Sequence, residues 1–146
     1  MAAYDGQFSP DVRWVAYTSK ESGREEVYVV PFDPDGVFNT GAGSANVSAG
    51  IRSQISASGG CFPRWRRDGN EIFYLSSDNQ MMAVPVETGG NSLEVQTAQT
   101  LFKPIVAPDG AYDITPDGKK FVMVSPISPN TPLTLVVNWT ALLAGK

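Results

Sequence analysis

The sequence contains no histidine, and this absence removes several kinds of chemistry at once. Serine–histidine–aspartate triads, histidine-containing zinc sites and imidazole acid–base catalysis all need that side chain. The single cysteine, Cys61, cannot form an internal disulfide and cannot hold a metal by itself. No apolar run approaches the ~20 residues of a membrane-spanning helix, so no membrane insertion is expected. Only 18% of the residues are charged and the net charge is −4, which argues against a nucleic-acid partner.

The length and composition indicate one folded domain that spans residues 1–146. Hydrophobic residues make up 42% of the chain, which is enough to build a core. The chain also contains 14 glycines and 11 prolines, which favour many short elements separated by turns. The composition therefore predicts short strands and turns rather than a few long helices.

The strongest feature of the sequence is an internal repeat, in which a short turn leads into an apolar segment. An aspartate lies in each turn, at Asp11, Asp68 and Asp117, so the copies are 57 and 49 residues apart. A period of about fifty residues is typical of β-propeller blades, each of which is one antiparallel sheet. The three copies are Phe8–Tyr17, Trp65–Tyr74 and Ile114–Met123.

The turn itself has a physical explanation. An aspartate side chain accepts hydrogen bonds from backbone amides two residues further on, and a glycine after it adopts positive φ without steric cost. Gly69 and Gly118 follow their aspartates, whereas Val12 follows Asp11. Because positive φ is unfavourable for a β-branched residue, the first turn is either strained, with Val12 in the glycine position, or a turn of a different type.

The strand after each turn should be buried on both faces, because its apolar residues are consecutive rather than alternating. A second strand follows in each copy, and Pro31 and Pro85 mark the places where it leaves the sheet. A shorter outer strand is expected after that in the first two copies. The predicted strands beyond the first are Glu26–Phe32 and Ser53–Ala57, then Met81–Val86 and Thr100–Lys103, and finally Leu133–Trp139.

These repeats resemble the TolB-like, WD-like β-propeller repeats of bacterial proteins. The resemblance rests on Phe8-Ser-Pro-Asp11, Arg67-Asp-Gly69 and Thr115-Pro-Asp-Gly118, each followed by a strand and a hairpin. It implies an all-β propeller with six blades in the ring, a scaffold that binds partners, and an extracytoplasmic location. The terminal Leu135–Thr140 also resembles the ends of large bacterial proteins that carry such propellers, including serine/threonine kinases, and some members of the family are fused to hydrolase domains.

The sequence therefore predicts three β-propeller blades of four antiparallel strands each, at residues 8–57, 63–103 and 111–140, with the third blade lacking its outer strand. Three blades would form half of a six-bladed ring, so we expect two chains to associate as a homodimer. The residues before Phe8, or the tail around Leu142-Leu143, are candidates for the missing outer strand.

Several residues carry alternative interpretations. The three turn aspartates suit turn capping better than a calcium array, because no D-x-[DN]-x-[DN]-G loop is present. Glu25 and Glu26 point to opposite faces of a strand, so they do not form a glycosidase pair and are interpreted as solvated charges. Cys61 is interpreted as a structural thiol rather than a reactive one, since no histidine or lysine lies beside it in the sequence.

The segment Arg64-Trp65-Arg66-Arg67 is the single basic cluster. The repeat places Trp65 in the core, and the arginines around it are candidates to line the central channel and bind a protein or a small anionic ligand. A stacking surface for single-stranded nucleic acid is the alternative.

No catalytic, cofactor-binding or metal-binding residue is predicted, since the chain also lacks a G-x-S-x-G motif. The favoured function is a non-catalytic binding or assembly module, which the resemblance implies is a fragment of a bacterial sensor or TolB-like protein. The alternative is the propeller portion of a peptidase or other hydrolase whose catalytic domain lies outside this chain.

Overall fold

The computed structural model describes residues 3–32, 52–89, 92–104, 112–123 and 134–137, and in these ranges it contains strands and no helix. Each strand is short, as the spacing of glycine and proline predicts. The strands are β1 (Ala3–Phe8), β2 (Trp14–Ser19), β3 (Glu26–Pro31), β4 (Ser53–Gln54), β5 (Gly60–Trp65), β6 (Glu71–Ser76), β7 (Met81–Gly89), β8 (Ser92–Val95), β9 (Gln99–Phe102), β10 (Tyr112–Ile114), β11 (Lys120–Met123) and β12 (Thr134–Val137).

The strands form three antiparallel sheets, one from each repeat, as predicted. The first sheet has the order β1-β2-β3-β4, and the third has the order β10-β11-β12. The second sheet has five strands rather than four, because β7 is nine residues long and has two partners on its outer side. Its first half pairs with β9, and beyond Pro85 it leaves β6 and forms a hairpin with β8.

The first strand of each sheet precedes the repeated turn and was not predicted from the sequence. In β1 and in β5 a β-bulge breaks the alternation of side chains, and β10 has only three residues. Asp5 and Phe62 lie at these bulges with φ values of 56° and 58°. Because Ala3–Phe8 pairs with β2 of its own sheet, the prediction that the residues before Phe8 supply a missing outer strand was wrong.

The three turns have the same geometry in all repeats. Val12 has a φ of 60°, close to the 77° of Gly69 and the 71° of Gly118. Each of these residues donates its backbone N–H to the carbonyl three positions earlier, at 2.8–2.9 Å. Val12 therefore occupies the position of Gly69 and Gly118, and the first turn is of the same type as the other two.

The core consists of two layers, one on each side of the second sheet. Strand β6 contributes to both, since Ile72 and Tyr74 face the first sheet whereas Phe73 and Leu75 face the third. All four side chains are at most 3% exposed, which confirms burial of both faces in this strand. The first layer contains Trp14, Ala16, Val27, Val29 and Trp65, and the second contains Met81, Leu101, Tyr112, Phe121 and Met123.

Val12→Gly should stabilise the protein. The side chain of Val12 is 49% exposed, so its removal sacrifices little burial, while a β-branched residue at positive φ carries strain of about 1–2 kcal/mol. The greater freedom of glycine in the unfolded chain offsets part of this gain. We expect a net increase of about 1 kcal/mol or less in the free energy of unfolding, measured by denaturant titration.

The matched control is Gly69→Val in the second repeat, where a Cβ would meet open space and an ordinary contact to Pro10. This variant should be less stable than the parent, since it creates the strain that Val12→Gly removes. A loss of stability in Val12→Gly would contradict the strain at the first turn.

Candidate functional site

A cleft of about 230 Å³ lies where the first strands of the three sheets end and their turns begin. Each repeat contributes three equivalent positions to it, and the third repeat adds Thr115. We call it the inner-strand cleft. Its walls are Gln7, Phe8 and Pro10 from the first repeat, Arg64, Trp65 and Arg67 from the second, and Asp113, Ile114, Thr115 and Pro116 from the third.

One wall of the inner-strand cleft is apolar and aromatic. Phe8 is 56% exposed and packs edge-on against Phe32, with their ring centroids 5.0 Å apart. Trp65 is only 9% exposed and its indole N–H donates to the carbonyl of Gln7 at 3.2 Å. The expectation that Trp65 belongs to the core is confirmed, and only its edge reaches the cleft.

Arg64 links the three sheets at this cleft. Its guanidinium forms an ion pair with Asp5 of the first sheet at 3.0 Å and lies 5.3 Å from the centre of the Tyr112 ring in the third. It also donates to the carbonyl of Pro63 at 2.8 Å. The hydroxyl of Tyr112 donates to the carbonyl of Phe62 at 2.6 Å, and burial raises the pKa of Tyr112 so that it stays protonated.

The other two arginines of the basic cluster have different environments. Arg67 is exposed and lines the inner-strand cleft beside Arg64. Arg66 lies outside the cleft lining and pairs with Asp68 and Glu71, each at 2.7 Å. The structure therefore brings two of the three predicted arginines to one cleft and engages the third in a turn.

The three turn aspartates are turn caps, as interpreted from the sequence. Asp11, Asp68 and Asp117 each accept a hydrogen bond from the backbone N–H two residues further on, at 3.1–3.2 Å. Hydrogen bonds from Ser9, Arg66 and Thr115 respectively are the main causes that lower the pKa of these carboxyl groups. Within the described ranges, no group of three or more histidine, cysteine or acidic side chains is arranged to hold a metal.

The arrangement of three repeated sheets is similar to that of solved propeller proteins. The structure matches TolB from Acinetobacter baumannii with a TM-score of 0.57 at 14% identity, over 94% of this chain and 30% of TolB. The chain has a TolB-like β-propeller fold. No protein-family model and no curated protein sequence matches it.

A second solved structure supports the same fold. It is a putative 6-phosphogluconolactonase from Bacteroides uniformis, matched with a TM-score of 0.50 at 17% identity over 82% of this chain and 32% of that protein. The chain therefore spans about a third of the length of these two structures. The inner-strand cleft lies at the ends of β1, β5 and β10, the first strand of each sheet.

Glu26 corrects one interpretation from the sequence. It was expected to be a solvated charge, but its side chain is completely buried. Its carboxylate accepts hydrogen bonds from the Arg24 guanidinium at 2.5 Å, the Ser56 hydroxyl and the backbone N–H of Gly59 at 3.1 Å. Ser56 and Gly59 belong to the segment between the first two blades, so Glu26 attaches that segment to β3. The carboxylate therefore has a structural role in the fold.

Glu25 lies in a second, larger cleft of about 480 Å³ on the hairpin side of the blades. It accepts a hydrogen bond from the Tyr4 hydroxyl and pairs with Lys20 at 3.2 Å. The bond from Tyr4 is the main cause that lowers the pKa of Glu25, while burial and that same bond raise the pKa of Tyr4. The hydrogen bond therefore keeps Glu25 ionised and Tyr4 protonated, which are their ordinary states at neutral pH. A general acid–base pair needs pKa shifts in the other directions, toward neutral pH.

Cys61 lines the same larger cleft and is half-buried. Its Sγ lies 3.8 Å from the carbonyl oxygen of Leu75. Burial, followed by the charges of Glu25 and Asp5, raises the pKa of the thiol to about 12. The interpretation of Cys61 as a structural thiol agrees with this environment.

The sequence analysis missed Asp5 and Tyr112, which hold Arg64 in place. No sequence signal identified Asp5, because its equivalent 57 residues further on is Phe62, a residue of a different type. No helix in the described parts of the chain is long and apolar enough to cross a bilayer.

Glu26→Ala should be destabilising. The substitution leaves the buried Ser56 hydroxyl and Gly59 amide without their shared acceptor, and it removes one partner of the largely exposed Arg24 guanidinium. We expect a loss of about 1–3 kcal/mol in the free energy of unfolding, measured by urea denaturation. Glu94→Ala, at an exposed position of β8, is the control and should change stability by at most about 0.5 kcal/mol. A mild effect of Glu26→Ala would contradict the structural role of this carboxylate.

Cys61 should react slowly with iodoacetamide in the folded protein. With the pKa raised to about 12, the thiol stays protonated at pH 8, whereas in the unfolded chain a larger fraction is thiolate. Alkylation at pH 8, followed by mass spectrometry, should be on the order of 100-fold or more slower in buffer than in urea. Similar rates in the two conditions would show that Cys61 is a reactive thiol.

Proposed function

We propose that this chain is a non-catalytic β-propeller binding module whose inner-strand cleft binds an anionic ligand. The observation that carries the proposal is the convergence of equivalent positions from three blades on one cleft that contains two arginines. Clefts of this kind, with an apolar wall and a few charged groups, are the usual ligand sites of proteins.

The two arginines have different roles in this proposal. Arg64 is only 17% exposed in its side chain and is held by Asp5 and Tyr112, so it provides a rigid wall of the cleft. Arg67 is exposed, and it supplies the cationic group that reaches the ligand. Asp113 also lines the cleft, and its negative charge disfavours a ligand with several negative charges.

The apolar wall narrows the class of ligand. Phe8, Ile114 and the edge of Trp65 offer surface for an aromatic or aliphatic group, while Arg67 offers a charge-assisted hydrogen bond. A single carboxylate attached to an apolar group satisfies both, whether it is a small molecule or the end of an acidic peptide. A volume of about 230 Å³ is suitable for a group of this size.

The environments of the three candidate reactive groups support the non-catalytic part of the proposal, because none of them is free to act as a base or a nucleophile. Glu26 serves the fold, Glu25 is paired with Tyr4 and Lys20, and Cys61 is protonated at neutral pH. The sequence has no histidine to act as a base in their place. In the alternative function, a propeller portion of a peptidase or hydrolase, the catalytic residues would come from a domain outside this chain.

The proposal is tested with N-acetylphenylalanine and its uncharged amide as probes. Backbone amide signals of residues that line the inner-strand cleft should shift on titration with the acid and not with the amide. Arg67→Gln should weaken binding of the acid at least about tenfold, as expected for loss of a charge-assisted hydrogen bond. Lys103→Gln removes the same charge from an exposed position outside the cleft and should leave binding unchanged.

Two results would contradict the proposal. Equal binding of the acid and the amide would show that the arginines do not select an anion. Hydrolysis of a peptide, an ester or a 6-phosphogluconolactone that survives re-purification and disappears with one point mutation would show that the chain is catalytic. The lactone is included because one of the similar structures is titled a putative 6-phosphogluconolactonase.

A further inference from the structure

Asp5 lies outside the lining of the inner-strand cleft, but it is paired with an arginine that belongs to that lining. Its carboxylate accepts a hydrogen bond from the Arg64 guanidinium at 3.0 Å. The side chains of Asp5 and Arg64 are 22% and 17% exposed, so solvent and salt screen this pair less than an ion pair on the open surface. Asp5 therefore compensates much of the Arg64 charge before any ligand enters the cleft.

Two β-bulges bring these side chains together. Asp5 lies in the bulge of β1, and Arg64 directly follows the bulge of β5. Asp5 has a φ of 56°, and Phe62, the equivalent residue of the second repeat, has a φ of 58°. Because a phenylalanine occupies the same conformation, the bulge itself does not require a carboxylate at this position. The contact with Arg64 explains the acidic residue better than the backbone geometry does.

The opposing effects of the two charges are evident at Tyr112, on the third sheet. The Arg64 guanidinium lies 5.3 Å from the centre of the Tyr112 ring. Burial is the main cause that raises the pKa of the Tyr112 hydroxyl, and among the nearby charges Arg64 lowers this pKa whereas Asp5 raises it. A group beside Arg64 therefore experiences a positive charge that Asp5 partly cancels.

This compensation limits the positive charge that a ligand can use. The charged side chains that line the inner-strand cleft in the described part of the chain are Arg64, Arg67 and Asp113. With the charge of Arg64 compensated by Asp5, Arg67 remains to attract one anionic group. A second anionic group would meet the repulsion of Asp113 without a further uncompensated cation in this lining.

We infer that Asp5 is a specificity-determining residue, which makes the inner-strand cleft prefer a ligand with one negative charge to a ligand with two. This role rests on the proposed function, since it concerns the same cleft and the same class of ligand. Asp5 exerts it through Arg64, whose charge would otherwise be available to a second carboxylate.

The test compares two probes that differ by one carboxylate. The first is 3-phenylpropanoate, and the second is phenylsuccinate, which carries an additional carboxylate on the carbon that bears the ring. Their dissociation constants are measured slightly above neutral pH and at low ionic strength, from the shifts of backbone amide signals at the cleft. The parent protein should bind the monoanion at least about threefold more tightly than the dianion.

Asp5→Asn removes the charge and keeps the shape of the side chain and an oxygen that can accept from Arg64. The backbone tolerates asparagine in this conformation, since Asn79 of the same chain also has a φ of 56°. The variant should bind phenylsuccinate at least about fivefold more tightly than the parent does, with a smaller gain for 3-phenylpropanoate. Salt at about 0.5 M should reduce this difference, because it screens the charges, whereas a purely structural effect would persist.

Two further variants complete the comparison. Asp78→Asn removes the same charge from an exposed position in the β6–β7 hairpin and should leave both dissociation constants unchanged. Asp5→Asn combined with Arg64→Gln removes both charges of the pair, so the preference between the two probes should return to that of the parent. If the effect of Asp5→Asn persists in the double variant, Asp5 does not act through Arg64 and the inference is wrong.

Failure of this inference and failure of the proposed function give different results. A parent protein that binds neither probe contradicts the proposed function and the inference together. A parent that prefers phenylsuccinate, or an Asp5→Asn variant that keeps the parental preference, overturns the inference alone. Loss of both probes in a variant with the parental circular dichroism spectrum also overturns it, because Asp5 would then only hold Arg64 in place. If Asp5→Asn impairs folding, Asp5→Gly replaces it, since glycine suits the positive φ, and the same outcomes decide.

Discussion

Burial of both faces of the second sheet is the constraint on which the rest of the structure depends. A strand with four consecutive apolar side chains, Ile72 to Leu75, is unstable unless a neighbour covers each side. The first and third sheets provide this cover, and their own inward faces are buried in return. The blade arrangement therefore follows from one short apolar segment and its two neighbours.

Polar contacts then determine how the blades are joined. Glu26 attaches the segment after β4 to β3, so the chain enters the second blade at a defined place. Arg64 joins the first strands of all three blades through Asp5 and Tyr112. Hydrophobic packing alone has little directional preference, whereas these buried and half-buried hydrogen bonds require one relative position of the sheets. The inner-strand cleft is a consequence of that position.

Much of the fold was predictable because the repeat carries local rules. The aspartate turns, the strands that follow them and the positive φ of Val12 depend on residues within a few positions of each other, so one sequence shows them. The first strands were not predicted, because the bulges at Asp5 and Phe62 interrupt the alternation that identifies a strand. The β7–β8 hairpin was not predicted. Strand β7 pairs with β6 up to Pro85 and with β8 beyond it, and no local sequence pattern indicates this change of partner.

The sequence by itself determined the class of fold, the number of repeats, the turn caps and the absence of histidine chemistry. Only the tertiary structure decided that Glu26 is buried, that Arg64 and Arg67 share a cleft while Arg66 does not, and that Asp5 pairs with a residue 59 positions away. The physical reason is the separation along the sequence of the residues that interact. Turns and strand patterns arise from interactions between near neighbours in the sequence. Whether a charged side chain is buried, and which residue it pairs with, depends on which sheets pack together.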